Sequence, residues 1–277
     1  MGGLSPEQEI SNITGNSVLE ALKRKGLTAL PVQVDHQIGE TLKSNPIDIA
    51  FIALHGTYGE DGCIQGLLEY FKIPYTGAGV MGSALAYDKL KSKEIFKFYG
   101  IPTADYEVFY KSSNEKIVRT LALPVVVKPT NQGSSLGVTI VNEESEWEPA
   151  LKTAFTYSDE VIVEKFISGK LLAIGMNQAE PMPIVHIRPK SGFYDYEAKY
   201  TSGKTEYICP ADLEDTEVNR CNQIAKQVFR VLRGRGFPRV DVILDNEGTP
   251  HVLEMNTIPG MTPTSLLPMA ALKMGMD

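Results

Sequence analysis

The chain has 277 residues, 43% hydrophobic and 22% charged, and its 27 basic and 34 acidic side chains leave a formal net charge of −7. That is the balance of a globular protein with room for two or three lobes. The acidic excess argues against general nucleic-acid binding, and no apolar run is long enough to cross a bilayer. No basic-then-apolar leader opens the sequence, so no nucleic acid and no membrane are expected as partners, and a cytoplasmic location is expected. Cys63, Cys209 and Cys221 are unclustered; they form neither a zinc spacing nor a disulfide framework and point to a reducing compartment.

In chain order, "MGGLSPEQEIS" reads as a glycine loop, followed by a helix through "NSVLEALKRKG" that Gly26 stops. "DIAFIALHG" reads as a buried strand ending at His55, "CIQGLLEYFKI" as a helix and "PYTGAG" as a turn. This alternation predicts an α/β lobe with a parallel sheet over residues 1–77. "SALAYDKLKSKEIFKFYG" predicts one helix ended by Gly100 and Pro102. "LPVVVKP" is a β-branched strand, "TNQGSSLGV" a loop of glycines and hydroxyls, and "EVIVEKFI" another strand, which makes residues 78–165 a second lobe. "LLAIGM" and "PIVHI" open a third lobe over 166–277. A polar, aromatic stretch at about 188–206 has the length of a lid. From Asp215 to Gly234, apolar residues such as Val218, Cys221, Ala225 and Val228 recur at helical spacing.

The chemistry concentrates in "RVDVILDNEGTPHVLEMNTIPGMTPTS", two apolar runs flanking Asn-Glu-Gly, which predicts a β-hairpin. A turn at Glu247-Gly248, or over 246–249, sets 245 opposite 250, and therefore 241 opposite 254 and 239 opposite 256. Side chains alternate along a strand, so Asp241, Glu254, Arg239 and Asn256 are predicted to share a face. Two carboxylates directly across a ladder repel each other. A divalent cation would turn that repulsion into coordination, and two carboxylates with an amide oxygen suit Mg²⁺, which binds through few carboxylates plus substrate phosphates. The same pattern also fits a solvated face with ordinary surface charge, and an odd-length turn would scatter the set.

Phosphates also need cations and N–H donors. Lys128 ends the strand "PVVVKP", and "NQGSSLG" follows with Ser134 and Ser135, in a loop able to turn backbone N–H groups onto an anion. It lacks the GxxxxGK[ST] pattern of a P-loop, and a plain turn reads equally from the same residues. Lys89 in "YDKLKSK" is by itself the sign of a solvated helix face.

Taken together, "GGLSPEQEIS", "ALHGTYGEDG", "YTGAGVMGSALAYDKLKSK", "VVKPTNQGSSLGV", "VEKFISG", "FYDYEAKY" and "RVDVILD…EMNTIPGMTPTSL" resemble the ATP-grasp superfamily and, within it, the D-alanine–D-alanine ligase family, over nearly the whole chain. The resemblance implies an α/β protein, an ATP-grasp fold preceded by the N-terminal parallel-sheet lobe. It also implies ligation of two D-alanines with ATP through an acyl phosphate, for peptidoglycan precursor synthesis. Carried onto this sequence, it implies that Lys89 and Lys128 contact ATP phosphates, with Ser135 beside them, and that Glu164, Lys165, Phe166 and Ile167 line an adenine slot. Asp241, Glu254 and Asn256 would hold two Mg²⁺, which Mn²⁺ can replace. Arg239 and the Gly260 N–H would stabilise the oxyanion. Glu7 would anchor the first substrate's ammonium, with His55 nearby, and Ser265 would meet the second substrate's carboxylate. Glu7, Ser134 and Tyr200 would latch the lid, from which Lys199 reaches toward the phosphates. Tyr200 favours an amine as the second nucleophile, and a homodimer through the N-terminal lobe is expected.

The sequence departs from the family in three places. The family places a strand before the glycine loop and a helix beyond "LKMGMD", so a reduced N-terminal sheet and exposed apolar surface on the last lobe are expected. Leu171 stands where the family has a glutamate for the ribose hydroxyls; losing that charge-assisted contact predicts ATP binding weaker by about one to two decades. Two other readings remain: an ATP-grasp carboxylate–amine ligase for another amino acid, and a weakly active or inactive nucleotide-binding relic.

Overall fold

The structure is a computed structural model and describes residues 1–111, 117–190, 194, 201, 203–262 and 264–276. The expected first helix is present but longer. It begins at Gln8, so the glycine loop is confined to the first seven residues and Glu7 caps α1 (Gln8–Arg24). Gly26, at φ +76°, stops it, and the Leu27 N–H returns to the Leu22 carbonyl. Next come α2 (Ile38–Ser44) and α3 (Cys63–Tyr70).

The parallel strand expected over "DIAFIALHG" is not a ladder. Parallel pairing in this lobe is reduced to two isolated bridges, Gly2 with Val34 and Ala50 with Tyr75. The backbone explains the shortfall. The Thr76 hydroxyl, not a carbonyl, takes the Ile52 N–H at 3.1 Å, and Gly77, at φ +93°, then turns the chain out of the extended region. Gly2 and Gly3 leave it likewise, at φ +76° and +96°. The lobe is held instead by Leu42, Ile52, Leu54, Ile64 and Leu68, joined by Ile258 from far along the chain.

The single helix expected over "SALAYDKLKSKEIFKFYG" is two, α4 (Val80–Tyr87) and α5 (Lys89–Phe98). Asp88 breaks it: its backbone is extended, and its carboxylate accepts the Lys91 N–H at 2.9 Å as an N-cap. Lys89 therefore opens a new helix rather than lying mid-face on an old one.

The second sheet has the order β1 (Tyr106–Tyr110), β4 (Glu160–Lys165), β2 (Val125–Pro129), β3 (Thr139–Val141), and all its pairs are antiparallel. A helix that the sequence did not announce, α6 (Glu144–Ala154), covers it with Trp147, Ala150, Leu151 and Ala154 over Val125, Val127, Val161 and Val163. The third sheet runs β10 (Pro250–Asn256), β9 (Arg239–Asp245), β5 (Gly169–Asn177), β7 (Val185–Pro189), β8 (Thr205–Ile208), with the short β6 (Glu180–Pro181) on β5. One face, through Leu172, Ile174, Val240, Val242 and Val252, packs on α7 (Asp215–Val231) and shares its core with Ala86 of α4 and Phe96 of α5. The opposite face meets α8 (Leu266–Lys273) through Ala173, Val185 and Ile187. The rest of that face carries the site. Gly175 pairs with Arg239, Ala173 with Asp241 and Leu171 with Ile243, so these side chains lie in rows on one surface.

Candidate active site

The hairpin delivers the predicted pairs by an unpredicted route. Leu244 lies opposite Pro250, so the turn holds five residues, 245–249, an odd number. Between Val252 and Glu254 the ladder shifts, leaving Leu253 as the extra residue of a bulge. The bulge cancels the odd turn: Asp241 faces Glu254 and Arg239 faces Asn256. Asp245 fixes the turn by accepting the Glu247 and Thr249 N–H groups at 3.0 and 2.8 Å.

The repulsion expected between the two carboxylates is offset by cations. Arg239 grips Asp241 with two parallel bonds, Nε–Oδ1 and Nη2–Oδ2, each 2.7 Å, the strong bidentate geometry. Burial works against the Arg239 charge, but Asp241 outweighs it and raises the guanidinium pKa. Lys89 Nζ stands 3.2 Å from Glu254 Oε2 and donates to the Gln132 carbonyl at 2.6 Å. The Asn256 Oδ1 is turned to the Ile258 N–H at 3.0 Å. Among the described residues, no three His, Cys, Asp or Glu side chains are grouped to hold a metal. What the face offers is two carboxylate groups and one amide oxygen, a hard-oxygen set that suits Mg²⁺ only with further oxygens from a phosphate ligand.

Glu7 meets the second lobe directly. The Ser134 hydroxyl donates to Glu7 Oε1, and a Cβ on Gly133 would lie 2.6 Å from Glu7 Oε2, so glycine allows the loop this close. Ser134 and Ser135 both adopt positive φ, and Ser135 donates to the Tyr194 carbonyl at 3.2 Å. His55 is buried: its backbone N–H donates to Ser11 Oγ at 2.8 Å, and its ring Nε2 is 3.1 Å from Thr14 Oγ1. Burial, then the Arg239 charge, pull its pKa down to about 4, so the imidazole is neutral at pH 7.

Glu60 joins the site without having been anticipated. Its Oε2 accepts the Gly56 N–H at 2.7 Å, and burial, then the Glu7 charge, push its pKa up to about 8. The signal was present in "HGTYGE", where a positive-φ Gly56 returns the chain onto the glutamate four residues on. Lys93 was also missed.

A cavity of about 450 Å³ is lined by Glu7, His55, Lys89, Ser134, Arg239 and Glu254 among others, drawn from all three lobes. Asn256, Gly260 and Ser265 also face it. Ser265 precedes α8 and accepts the Thr262 N–H at 3.0 Å. A Cβ on Gly260 would reach 2.9 Å from Ser265 Oγ. Asp241, Lys128, Ser135, Glu164, Lys165, Phe166 and Ile167 do not line this cavity. Lys165 ends β4, and Phe166 and Ile167 lie in the short connection to β5. Lys128 and Glu164 are buried against each other, 2.7 Å apart. Lys199 and Tyr200 lie outside the described residues.

Two antiparallel sheets, each backed by helices, with a cation- and carboxylate-lined cavity among three lobes, define the ATP-grasp class of ligase. A family model described as "D-ala D-ala ligase C-terminus" matches residues 95–277, and one described as "D-ala D-ala ligase N-terminus" matches residues 35–78. D-alanine–D-alanine ligase of Syntrophotalea carbinolica is 44% identical over 278 residues, covering 100% of this chain and 90% of the relative. That of Geobacter sulfurreducens is 45% identical, covering 99% and 87%. The crystal structure of D-alanine–D-alanine ligase from Bacillus anthracis superposes with a TM-score of 0.89 at 36% identity, over 99% of this chain and 90% of that one. The same enzyme complexed with ATP gives 0.86 at 33%, over the same shares. The chain belongs to the D-alanine–D-alanine ligase family.

Proposed function

We propose that the protein joins two D-alanines to D-alanyl-D-alanine with ATP, through an acyl phosphate, to supply peptidoglycan synthesis. The observation that carries this reading is the meeting of Glu7 and Ser134 in one cavity with Arg239 and Glu254: an ammonium anchor, a hydroxyl and the charges for phosphoryl transfer come together across three lobes.

Glu7 holds the first substrate's ammonium, and neutral His55, fixed by Ser11 and Thr14, adds no competing positive charge. Lys89 and Lys128 take the nucleotide phosphates, and the connection at Glu164, Lys165, Phe166 and Ile167 takes the adenine. Arg239 and the Gly260 N–H stabilise the oxyanion that develops when the second amine attacks. Ser265 receives that substrate's carboxylate. Asp241, Glu254 and Asn256 would hold Mg²⁺, which would supply positive charge to neutralise the charge that develops in phosphoryl transfer. Ser134 on Glu7, with Tyr200, closes the cavity and keeps water from the acyl phosphate, while Lys199 reaches the phosphates from the same lid. The lobes are taken as 1–77, 78–165 and 166–277. A cytoplasmic location fits the absence, among the described residues, of any helix able to cross a membrane. Exposed Leu27, Leu30, Ile49 and Phe51 on the first lobe support a homodimer.

The test is phosphate release with ATP, Mg²⁺ and D-alanine, with L-alanine and D-lactate as controls. Release that depends on D-alanine, with dipeptide formed in step, is expected. ATP turnover that ignores D-alanine would remove the reading.

A further inference from the structure

A buried lysine that the reaction as described does not use shares a cluster of charges with Lys128 and Glu164. Lys93, on α5, is fully buried. Its Nζ is 3.1 Å from Glu164 Oε1, and it donates to Thr103 Oγ1 at 2.5 Å and to the Ala104 carbonyl at 3.2 Å. Thr103 Oγ1 in turn donates at 2.8 Å to the carbonyl of Val252 on β10, the strand that carries Glu254 and Asn256. The same Glu164 oxygen lies 2.7 Å from Lys128 Nζ. One carboxylate oxygen is thus shared by two ammonium groups, one rooted in α5 and the other in β2.

A buried ammonium is costly unless it is paired and hydrogen-bonded, so Lys93 is not explained by packing. Burial pulls its pKa down to about 8, Glu164 opposing and Lys128 adding to the fall. Burial alone would raise the Glu164 pKa, yet Lys128 and Lys93 together hold it below its ordinary value. If Glu164 faced Lys128 alone, the pair would be neutral, and Lys128 would have little charge left for a phosphate. With Lys93 present, the trio carries a net positive charge.

We propose that Lys93 is a positioning residue for the nucleotide: by sharing the Glu164 carboxylate it keeps Lys128 from being neutralised and leaves that lysine's charge available to the phosphates. Lys93 also ties Lys128, through Thr103, to the strand bearing the candidate Mg²⁺ donors. This rests on the reading of Lys128 as a phosphate contact.

Calorimetric titration of the full chain with ADP and Mg²⁺ tests it without turnover. Lys93→Met should weaken ADP binding tenfold or more while leaving the KM for D-alanine within twofold. Lys93→Met with Glu164→Gln should bind ADP within threefold of Glu164→Gln alone, because the carboxylate that neutralises Lys128 is gone from both. A lysine serving only to hold the lobes together predicts instead that Lys93→Met costs the same tenfold in either background, and that result overturns the proposal. Parent-like ADP binding by Lys93→Met overturns it too. Should Lys93→Met lose its circular-dichroism signature of folding, Thr103→Val, which unfixes the lysine without removing it, is expected to weaken ADP binding about threefold with D-alanine KM unchanged; no loss refutes the role. Lys128→Met is the control on the parent reading: if it binds ADP as the parent does, Lys128 is no phosphate contact and both claims fall.

Discussion

Asp241 stands directly opposite Glu254 in the β9–β10 ladder, and the two are held there by opposite cations, Arg239 on one and Lys89 on the other. Their consequences for stability differ. Glu254 is partly exposed, so Glu254→Gln should abolish turnover and change unfolding free energy by less than about 1 kcal/mol. Asp241→Asn should also abolish turnover but cost up to about 3 kcal/mol, because it leaves the largely buried Arg239 without its carboxylate. Urea unfolding beside the phosphate-release assay distinguishes the two; equal stability losses would contradict the pairing.

Arg239→Met should lower kcat by about 100- to 1000-fold with a smaller change in the KM for ATP, the signature of a donor that acts on the oxyanion. Steady-state kinetics decide it. A KM effect with kcat intact would move Arg239 to a ground-state binding role.

The Ser134–Glu7 contact joins the second lobe to the first across the cavity. Ser134→Ala should loosen that closure and let water reach the acyl phosphate, so that more ATP is hydrolysed per dipeptide formed. The ratio of phosphate to D-alanyl-D-alanine measures this directly, and an unchanged ratio removes the latch.

His55 is neutral in the folded protein, its pKa at about 4, against about 6.5 in an unfolded chain. Between those values the unfolded state binds the extra proton, so His55 makes the fold less stable as pH falls from 6.5 toward 4 and contributes no such loss above 6.5. The shift corresponds to about 3 kcal/mol at the acid end. Glu60, raised to about 8, acts in the other sense, lowering stability as pH rises from its unfolded value through 8. The difference between the parent and His55→Gln isolates the histidine: in thermal or urea unfolding it should change with pH between about 4 and 6.5 and be constant above about 6.5.

Leu171 shares its sheet face with Asp241 and pairs with Ile243 and Ile187. An apolar residue there offers no acceptor to ribose hydroxyls. Leu171→Glu should tighten nucleotide binding by about tenfold or more, read by ADP titration; equal affinities would show that the ribose is held elsewhere.

The hairpin's chemistry was legible in the sequence because strand alternation is rigid, although the register came from an odd turn and a bulge that cancel, and nothing local announces either. Gly26 was legible because a positive-φ stop has few alternatives to glycine. The first lobe's sheet was not: "DIAFIALHG" has a buried strand's composition, but whether it ladders depends on Thr76 and Gly77, which turn its neighbour away. The helix break at Asp88 was hidden among good helix formers. Lys93 illustrates the remaining limit. In "KLKSK" it reads as solvated surface, and its burial is decided by Thr103 and Glu164, whose approach is tertiary. α6 carries Pro149 within it, which mutes its helical signal.

Ile258 has a consequence for how the chain is made. It follows the last strand of the third sheet yet completes the cluster of Leu42, Ile52, Leu54, Ile64 and Leu68 in the first lobe. Domains generally fold as they leave the ribosome, the N-terminal one first. Here the first lobe emerges early, but its cluster is complete only once Ile258 has been synthesised. The order of synthesis and the order of consolidation are therefore opposed, and the nascent N-terminal segment is exposed for the longest time to chaperones and proteases.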